Sequence, residues 1–388
     1  MTEPSHWLPL TEENVRKAYD IIKPYIHHTP VLTSKTLNRI ASSPQTTTDG
    51  QLPAAAQPKI NLFFKCENYQ RIGAFKVRGA FHAVLRLVQE MGEEDVRKRG
   101  LVTHSSGNHA QALALVAQTL NIPAYIVMPT ISIPSKIAGT KSYGARVIFS
   151  GSTSQEREAI VERVIQETSA ILVPPYEHPD VILGQGTAGL ELAEQVSELV
   201  AKRPELSVHT PHTAARSGGG GGGGGAVLDA VITPLGGGGL TSGTATFFSE
   251  SPATRVFGAE PSFEGGDDCR RGLAQGKRIE TVKTLTIADG LRTPVGVIPW
   301  SVISDPRKVN GVYAVTEAQI KDAMRLVLER MKVVIEPSAA VPLAVVLYNE
   351  EFRRVVEKEG GEEGWNIGVV FSGGNTTVDV IGKLFADN

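Results

Sequence analysis

Four short stretches of this chain place reactive or cradling residues where an apolar run gives way to a helix-like one. In NYQRIGAFKVRGAFHAV (68–84), Lys76 stands where a helix opens after a small-residue turn. An ammonium is disfavoured at the positive end of a helix dipole, and partial desolvation there lowers its pKa, which makes the amine nucleophilic. The other reading is a solvated surface lysine. In VTHSSGNHAQALALVA (102–117), Ser105, Ser106, Gly107 and Asn108 separate an apolar strand from a helix that opens around His109. Such a turn offers N–H groups and hydroxyls to a carboxylate or phosphate, or simply caps the helix. VLDAVITPLGGGGLTSG (227–243) puts Gly236, Gly237, Gly238 and Gly239 in the same position, where the backbone can fold around a phosphate with no Cβ in the way. Neither a Walker Gly-Lys-Ser/Thr nor a GxGxxG spacing is present, which points to the phosphate of a cofactor rather than of a nucleoside triphosphate. In IGVVFSGGN (367–375), Ser372 could offer a neutral hydroxyl to a heterocycle nitrogen, or be part of a structural turn.

A lysine, an anion cradle, a phosphate cradle and a neutral hydroxyl together suit pyridoxal phosphate, whose aldehyde needs an amine and whose phosphate needs a cradle. The elements that must position them follow from periodicity. Strands are expected at 62–66, 101–104, 124–128, 146–149, 226–233, 255–259 and 367–371. Helices are expected at 77–90, 109–119, 156–167, 185–199, 317–331 and 339–349. Alternation of this kind predicts an α/β fold with parallel sheets flanked by helices, in which ligands collect where strands end and helices begin. Two segments break the pattern. Residues 41–58 (ASSPQTTTDGQLPAAAQP) read as a flexible surface insertion, and 201–225, which ends in eight glycines (218–225), as another.

With 388 residues, 41% apolar and 21% charged, the composition is that of a globular protein, and a net charge of −2 gives no footprint for nucleic acid or an acidic membrane surface. The opening MTEPSHWLPLTEENV has neither signal-peptide nor transit-peptide character, so a cytoplasmic location is expected. Cys66 and Cys269 have no CxxC spacing and read as ordinary thiols.

From about Ala18 to Leu384 the chain resembles the fold-type II pyridoxal-phosphate enzymes of the serine/threonine dehydratase and serine racemase family. The resemblance rests on HTPVLTSKTLN, FFKCENYQRIGAFKVRGA, SSGNHAQAL, GQGTAGLE, PLGGGGLTSG, TIADGLRTPVG, ERMKVVIEPSAA and FSGGN, eight motifs in the family's order. It implies two open twisted sheets, a large cofactor-binding domain (1–97 and 177–388) and a small mobile domain (98–176). It implies that Lys76 holds the cofactor covalently and acts as the base on one face, with Phe75 beneath the ring and Asn108 on the ring hydroxyl. Gly236 to Gly239 would hold the phosphate and Ser372 the pyridine nitrogen. Ser105, Ser106, Gly107, Asn108 and His109 would grip the substrate carboxylate, and Ser106 would serve as the proton donor on the opposite face that racemisation needs. The implied activity is dehydration of L-serine to pyruvate and of L-threonine to 2-oxobutyrate, with serine racemisation as companion. Serine racemisation as the main activity, or a threo-3-hydroxyaspartate dehydratase, are the alternatives. A non-catalytic amino-acid-binding relative is the different-class alternative, against which the retained Lys76 counts.

The same resemblance implies a metal. FGAEPSFEGGDDCRRG offers Glu260 and Asp268 as carboxylates and the Gly266 carbonyl between them, hard oxygen ligands that suit Mg²⁺ or Ca²⁺. This loop is about two residues longer than the racemase pattern, which leaves Glu264 and Asp267 as candidate substitutes. Tyr176 falls beside the cofactor at a position that bears on substrate choice. A homodimer is expected, with ATP as a candidate effector near residues 65–71 and Asn375. The end of the chain soon after FSGGN leaves no room for the regulatory domain of biosynthetic threonine dehydratases. Of the two glycine runs, 236–239 is the expected phosphate cradle and 218–225 is idle.

Overall fold

Short β-branched runs followed by amphipathic helices assemble here into two separate, mostly parallel sheets. The computed structural model describes residues 7–45, 55–105, 107–132, 134–151, 154–209, 227–251 and 253–386. The strands are β1 (Val31–Thr33), β2 (Ile60–Cys66), β3 (Leu101–His104), β4 (Ala124–Pro129), β5 (Arg146–Ser150), β6 (Ile171–Leu172), β7 (Ala230–Pro234), β8 (Arg255–Pro261), β9 (Gly311–Val315) and β10 (Trp365–Phe371). The larger sheet has the order β1-β2-β10-β7-β8-β9 and is parallel except for β1; the smaller has the order β5-β4-β3-β6 and is parallel throughout. The α/β class with two helix-flanked sheets is therefore as the sequence predicts. Helices on both faces explain why β10, WNIGVVF, is buried at every residue.

The helices are α1 (Glu12–Ile22), α2 (Lys35–Ser42), α3 (Lys76–Met91), α4 (Glu93–Arg99), α5 (Asn108–Leu120), α6 (Pro134–Ser142), α7 (Ser154–Thr168) and α8 (Pro179–Lys202). They continue as α9 (Gly239–Phe248), α10 (Asp268–Gln275), α11 (Val297–Ile303), α12 (Glu317–Leu326), α13 (Pro337–Tyr348), α14 (Glu350–Gly360) and α15 (Val378–Phe385). Of the six helices that periodicity predicts, two differ from expectation. The helix expected at 185–199 begins at Pro179, a residue that suits the first turn because it lacks the N–H that would go unpaired there. The helix expected at 317–331 changes to a π turn at Val327–Met331 and stops at Lys332, which has φ 60°. Among the described residues, no helix is long and apolar enough to cross a membrane.

Helix α8 is the axle of the larger unit. A Cβ at Gly184 would lie 2.7 Å from the Arg78 carbonyl of α3, and one at Gly243 would lie 2.3 Å from the Ile182 carbonyl, so α3 and α9 approach α8 as only glycine permits. The glycines of the GQGTAG stretch and its neighbours thus bring together the helix that begins at Lys76 and the helix that follows the glycine loop.

Beneath this crossing lies a closed ion cluster. Lys65 of β2, Glu67, Arg78 of α3 and Glu191 of α8 are all fully buried. Arg78 donates from Nε and Nη2 to Glu67, from Nη1 and Nη2 to Glu191, and from Nη1 to the Thr187 hydroxyl, at 2.7–3.2 Å. Lys65 Nζ donates to Glu191, to the Gln195 side-chain carbonyl and to the Thr29 carbonyl at 2.6–2.8 Å. Every N–H of both cations has an acceptor, and two positive charges face two negative ones.

The described ends of the 41–58 segment are fixed rather than loose. Ala41 and Ser42 finish α2, Ala56 is buried, and the buried guanidinium of Arg353 in α14 donates to the carbonyls of Ala41, Ser43 and Ala56 at 2.6–2.9 Å. Residues 46–54 and the glycine run 218–225 lie outside the described residues.

Removing one cation from the closed cluster leaves two buried carboxylates facing a single lysine. Arg78→Met is therefore expected to cost about 3–5 kcal/mol, read as a lower midpoint in equilibrium urea denaturation. An unchanged midpoint would show that the cluster does not hold α3 in place.

Candidate active site

Lys76 is the first residue of α3, with Phe75 at the N-cap. Its Nζ donates to the Pro175 carbonyl at 2.8 Å and lies 5.1 Å and 5.9 Å from the ring centroids of Phe75 and Tyr176. The partner is a carbonyl rather than a carboxylate, so desolvation is unopposed and lowers the amine's pKa to about 8. The turn that precedes Lys76 is stitched to the end of β10. Phe75 N donates to the Ser372 carbonyl at 3.0 Å, Gly374 N donates to the Gly73 carbonyl at 2.9 Å, and Ala74 bridges Gly373. Ser372 itself is buried directly after the strand.

The SSGN turn approaches the same place from the smaller sheet. Asn108 opens α5; its Nδ2 donates to Glu336 Oε1 at 2.7 Å, and its Oδ1 accepts from Asn375 Nδ2 at 2.9 Å. Ser105 Oγ accepts from Gly107 N at 3.3 Å. Ser106 lies outside the described residues. His109 Nε2 faces the Val173 carbonyl at 3.0 Å, and burial depresses the ring's pKa to about 3. The imidazole is thus neutral and donates from Nε2, because a carbonyl can only accept. Its side chain is engaged with Val173, so what His109 can offer an anion at the helix start is its backbone N–H.

Across Lys76, the Gly236–Gly239 loop joins β7 to α9, and Gly238 has φ 91°. Among the described residues, none accepts a hydrogen bond from the amides of Gly236, Gly237 or Gly238. Unpaired amides at the start of a buried helix form an anion cradle. The Tyr176 ring lies over it, such that a Cβ at Gly237 would come within 2.3 Å of the ring. Tyr176 thereby spans the gap between the Lys76 amine and the glycine loop. An amine of depressed pKa, free amides and a buried alcohol are the donor set pyridoxal phosphate requires, so the residues present fit it.

Sequence reasoning missed three charged residues at this centre. Glu336, the N-cap of α13, links Asn108 to Gly373, whose carbonyl accepts from Glu336 N. Burial raises the Glu336 carboxyl to about 7 against the opposing charge of Lys136. Lys136 of α6 pairs with Asp289 at 2.5 Å. Glu336 and Asp289 sit inside quoted motifs, but Lys136 lies in none, and no spacing signal joins residues so far apart in sequence.

The acidic loop and the nucleotide expectation fare differently. Glu260 is buried and accepts from the amides of Cys269 and Arg270 at 3.0 and 2.9 Å, while Asp268 accepts from Val295 N at 3.2 Å. Burial, reinforced by the Asp268 charge, pushes Glu260 well above the usual range, and burial raises Asp268 to about 6. Of the two substitutes, Glu264 accepts from Leu285 N and Asp267 pairs with Arg271, so both are engaged elsewhere. Among the described residues, no three His, Cys, Asp or Glu side chains converge on one point, so a cation at Glu260 and Asp268 would need carbonyls such as that of Gly266 and water. Within the stretch 65–71, expected to lie near a nucleotide, the Lys65 side chain is fully buried with all three donors engaged.

With a pKa of about 8, roughly one Lys76 amine in ten is neutral at pH 7, against about one in three thousand at the ordinary value. Capture of added pyridoxal phosphate by cofactor-free protein is therefore expected to accelerate about tenfold per pH unit below 8 and level off above it. Gly237→Val, which drives a side chain into the cradle, should abolish capture. Stopped-flow absorbance checks both; a rate still climbing at pH 10.5, the ordinary lysine value, would place the amine in water.

Three comparisons bear on this site. The family model described as pyridoxal-phosphate dependent enzyme matches residues 46–373. The chain is 40% identical over 373 residues to a serine racemase of Arabidopsis thaliana, covering 96% of this chain and 95% of that one. Among solved structures, maize serine racemase superposes with a TM-score of 0.77 at 35% identity, covering 97% of each chain. A threonine deaminase of T.th. superposes with a TM-score of 0.72 at 33% identity, covering 95% of this chain and 99% of that one. With its lysine, its glycine cradle and a match across most of its length, the chain belongs to the pyridoxal-phosphate-dependent enzymes.

Proposed function

We propose that this enzyme eliminates water from L-serine and L-threonine, releasing ammonia with pyruvate or 2-oxobutyrate, and racemises serine as a companion activity. The observation that carries the reading is the partly neutral Lys76 amine, set between the Asn108 turn and a glycine cradle with unpaired amides. Relatives named serine racemase and threonine deaminase support the substrate class. The four-stranded unit, residues 98–176, is the small domain that carries the substrate turn, and residues 1–97 with 177–388 form the large one.

Bound at this site, the cofactor supplies an aldehyde for the substrate amine and a ring that draws electrons from the substrate Cα. The chain's own residues do the rest. The amides of Gly236–Gly239 would hold the phosphate, and Phe75 would line the site beside Lys76. Ser105, Gly107, Asn108 and the backbone of His109 orient the substrate carboxylate. Lys76, neutral in part at pH 7, takes the Cα proton on its face. Ser372, buried directly after β10, would offer the ring nitrogen a neutral alcohol rather than a carboxylate. Ser106, between Ser105 and Gly107, returns a proton on the opposite face for racemisation. Glu260 and Asp268 with the Gly266 carbonyl would hold Mg²⁺ or Ca²⁺, whose charge would relieve the repulsion between two buried carboxylates.

Holoenzyme incubated with L-serine, L-threonine and threo-3-hydroxyaspartate is expected to release keto acid from the first two, and D-serine from L-serine; D-serine formation should be lost in Ser106→Ala. Turnover of hydroxyaspartate alone would overturn the assignment. For the metal, Mg²⁺ or Ca²⁺ at a hundredfold excess over Kd should stabilise the fold by about 2.7 kcal/mol in a thermal melt, and Asp268→Asn should remove the shift. An equal shift in that variant would move the ion elsewhere.

A further inference from the structure

Lys136 has no part in the chemistry above, yet it is only 3% exposed and sits where the two sheet units meet. It belongs to α6, between β4 and β5 of the smaller sheet. Its ammonium reaches across to the larger unit, 2.5 Å from Asp289 Oδ2 and 3.9 Å from Glu336 Oε2. Burying an ammonium is costly unless it is paired, so this reach defines a preferred placement of the two units.

Both ends of the contact touch the proposed site. On the near side, a Cβ at Gly107 would lie 3.3 Å from Lys136 Cδ and 3.4 Å from Nζ, so the lysine side chain is the floor on which Gly107 rests. On the far side, Asp289 opens a single 3₁₀ turn, Asp289–Leu291. Gly290 N of that turn donates to Ser338 Oγ at 3.0 Å, and Leu291 backs onto the glycine cradle, its Cα 2.9 Å from where a Cβ on Gly236 would be. Glu336, the second carboxylate near Lys136, accepts from Asn108.

We propose that Lys136 is a positioning residue: by clasping Asp289 it locks the smaller unit to the turn behind the phosphate cradle and holds Gly107 and Asn108 where a substrate carboxylate is gripped. The inference rests on the proposed reading of the 105–109 turn. Opening the clasp removes no residue of the cradle but lets the carboxylate grip drift, so the larger loss falls on substrate binding.

The test uses holoenzyme of Lys136→Met, of Asp289→Asn, and of the charge-swapped pair Lys136→Asp with Asp289→Lys. KM for L-serine is expected to rise roughly tenfold in each single variant, with a much smaller change in kcat. Binding of glycine, which has no β-hydroxyl to lose, followed by the change in cofactor absorbance, should weaken in parallel. Hydrogen exchange should quicken in peptides covering the turn and α5, and the swapped pair should recover part of both effects. A fall in kcat at unchanged KM, or exchange rates equal to those of the parent, would overturn the proposal. Should Lys136→Met fail to fold, Asp289→Asn gives the same comparison from the less buried side of the pair. The exchange readout needs no turnover, so a parent enzyme inactive on L-serine would sink the functional reading while still testing the clasp.

Discussion

The closed ion cluster of Lys65, Glu67, Arg78 and Glu191 fixes the geometry on which the rest depends. Buried charges are poor sources of net stability, because desolvation offsets most of their attraction. What they impose is placement. Arg78 uses every N–H on two carboxylates and a hydroxyl held by different elements, and any shift of α3 along α8 breaks several of these bonds at once. Lys76 lies two residues before Arg78 on that helix, so the amine inherits the register. The glycine crossings of α8 with α3 and α9 then set the distance between the helix that starts at Lys76 and the helix that starts at the phosphate cradle.

Around this frame the site is assembled by main-chain and side-chain contacts between turns distant in sequence. The strand-end turn at 372–375 is hydrogen-bonded to the turn at 72–75, and Asn375 and Glu336 both hold Asn108. Backbone partners leave side chains free for ligand work. They also explain why small residues crowd these turns, since a larger one would separate the chains. The depressed pKa of Lys76 follows from the same economy of polar partners: one carbonyl, no carboxylate, and aromatic rings nearby.

Much of this was legible because strand and helix periods change abruptly at the turns that matter. The run LVTH was read as β3 to the residue, and Lys76, Asn108 and the glycines 236–239 all stand at the helix starts where their surroundings placed them. Strands of three and two residues, β1 and β6, escaped because so few positions cannot display a period. The partners of Lys65 were silent for a different reason: Glu191, which its ammonium meets, lies more than a hundred residues downstream. Lys136, Asp289 and Glu336 were silent as a group, since pairing across two sheet units leaves no mark on local pattern.

Arg353 shows how a fold can accommodate an insertion at little expense to itself. It holds both flanks of the 46–54 segment by carbonyl oxygens, which every residue type provides, and its stem is sealed inside the protein. The clamp therefore reads position and ignores identity. A clamp of that kind makes no demand on the side chains of the flanks it holds.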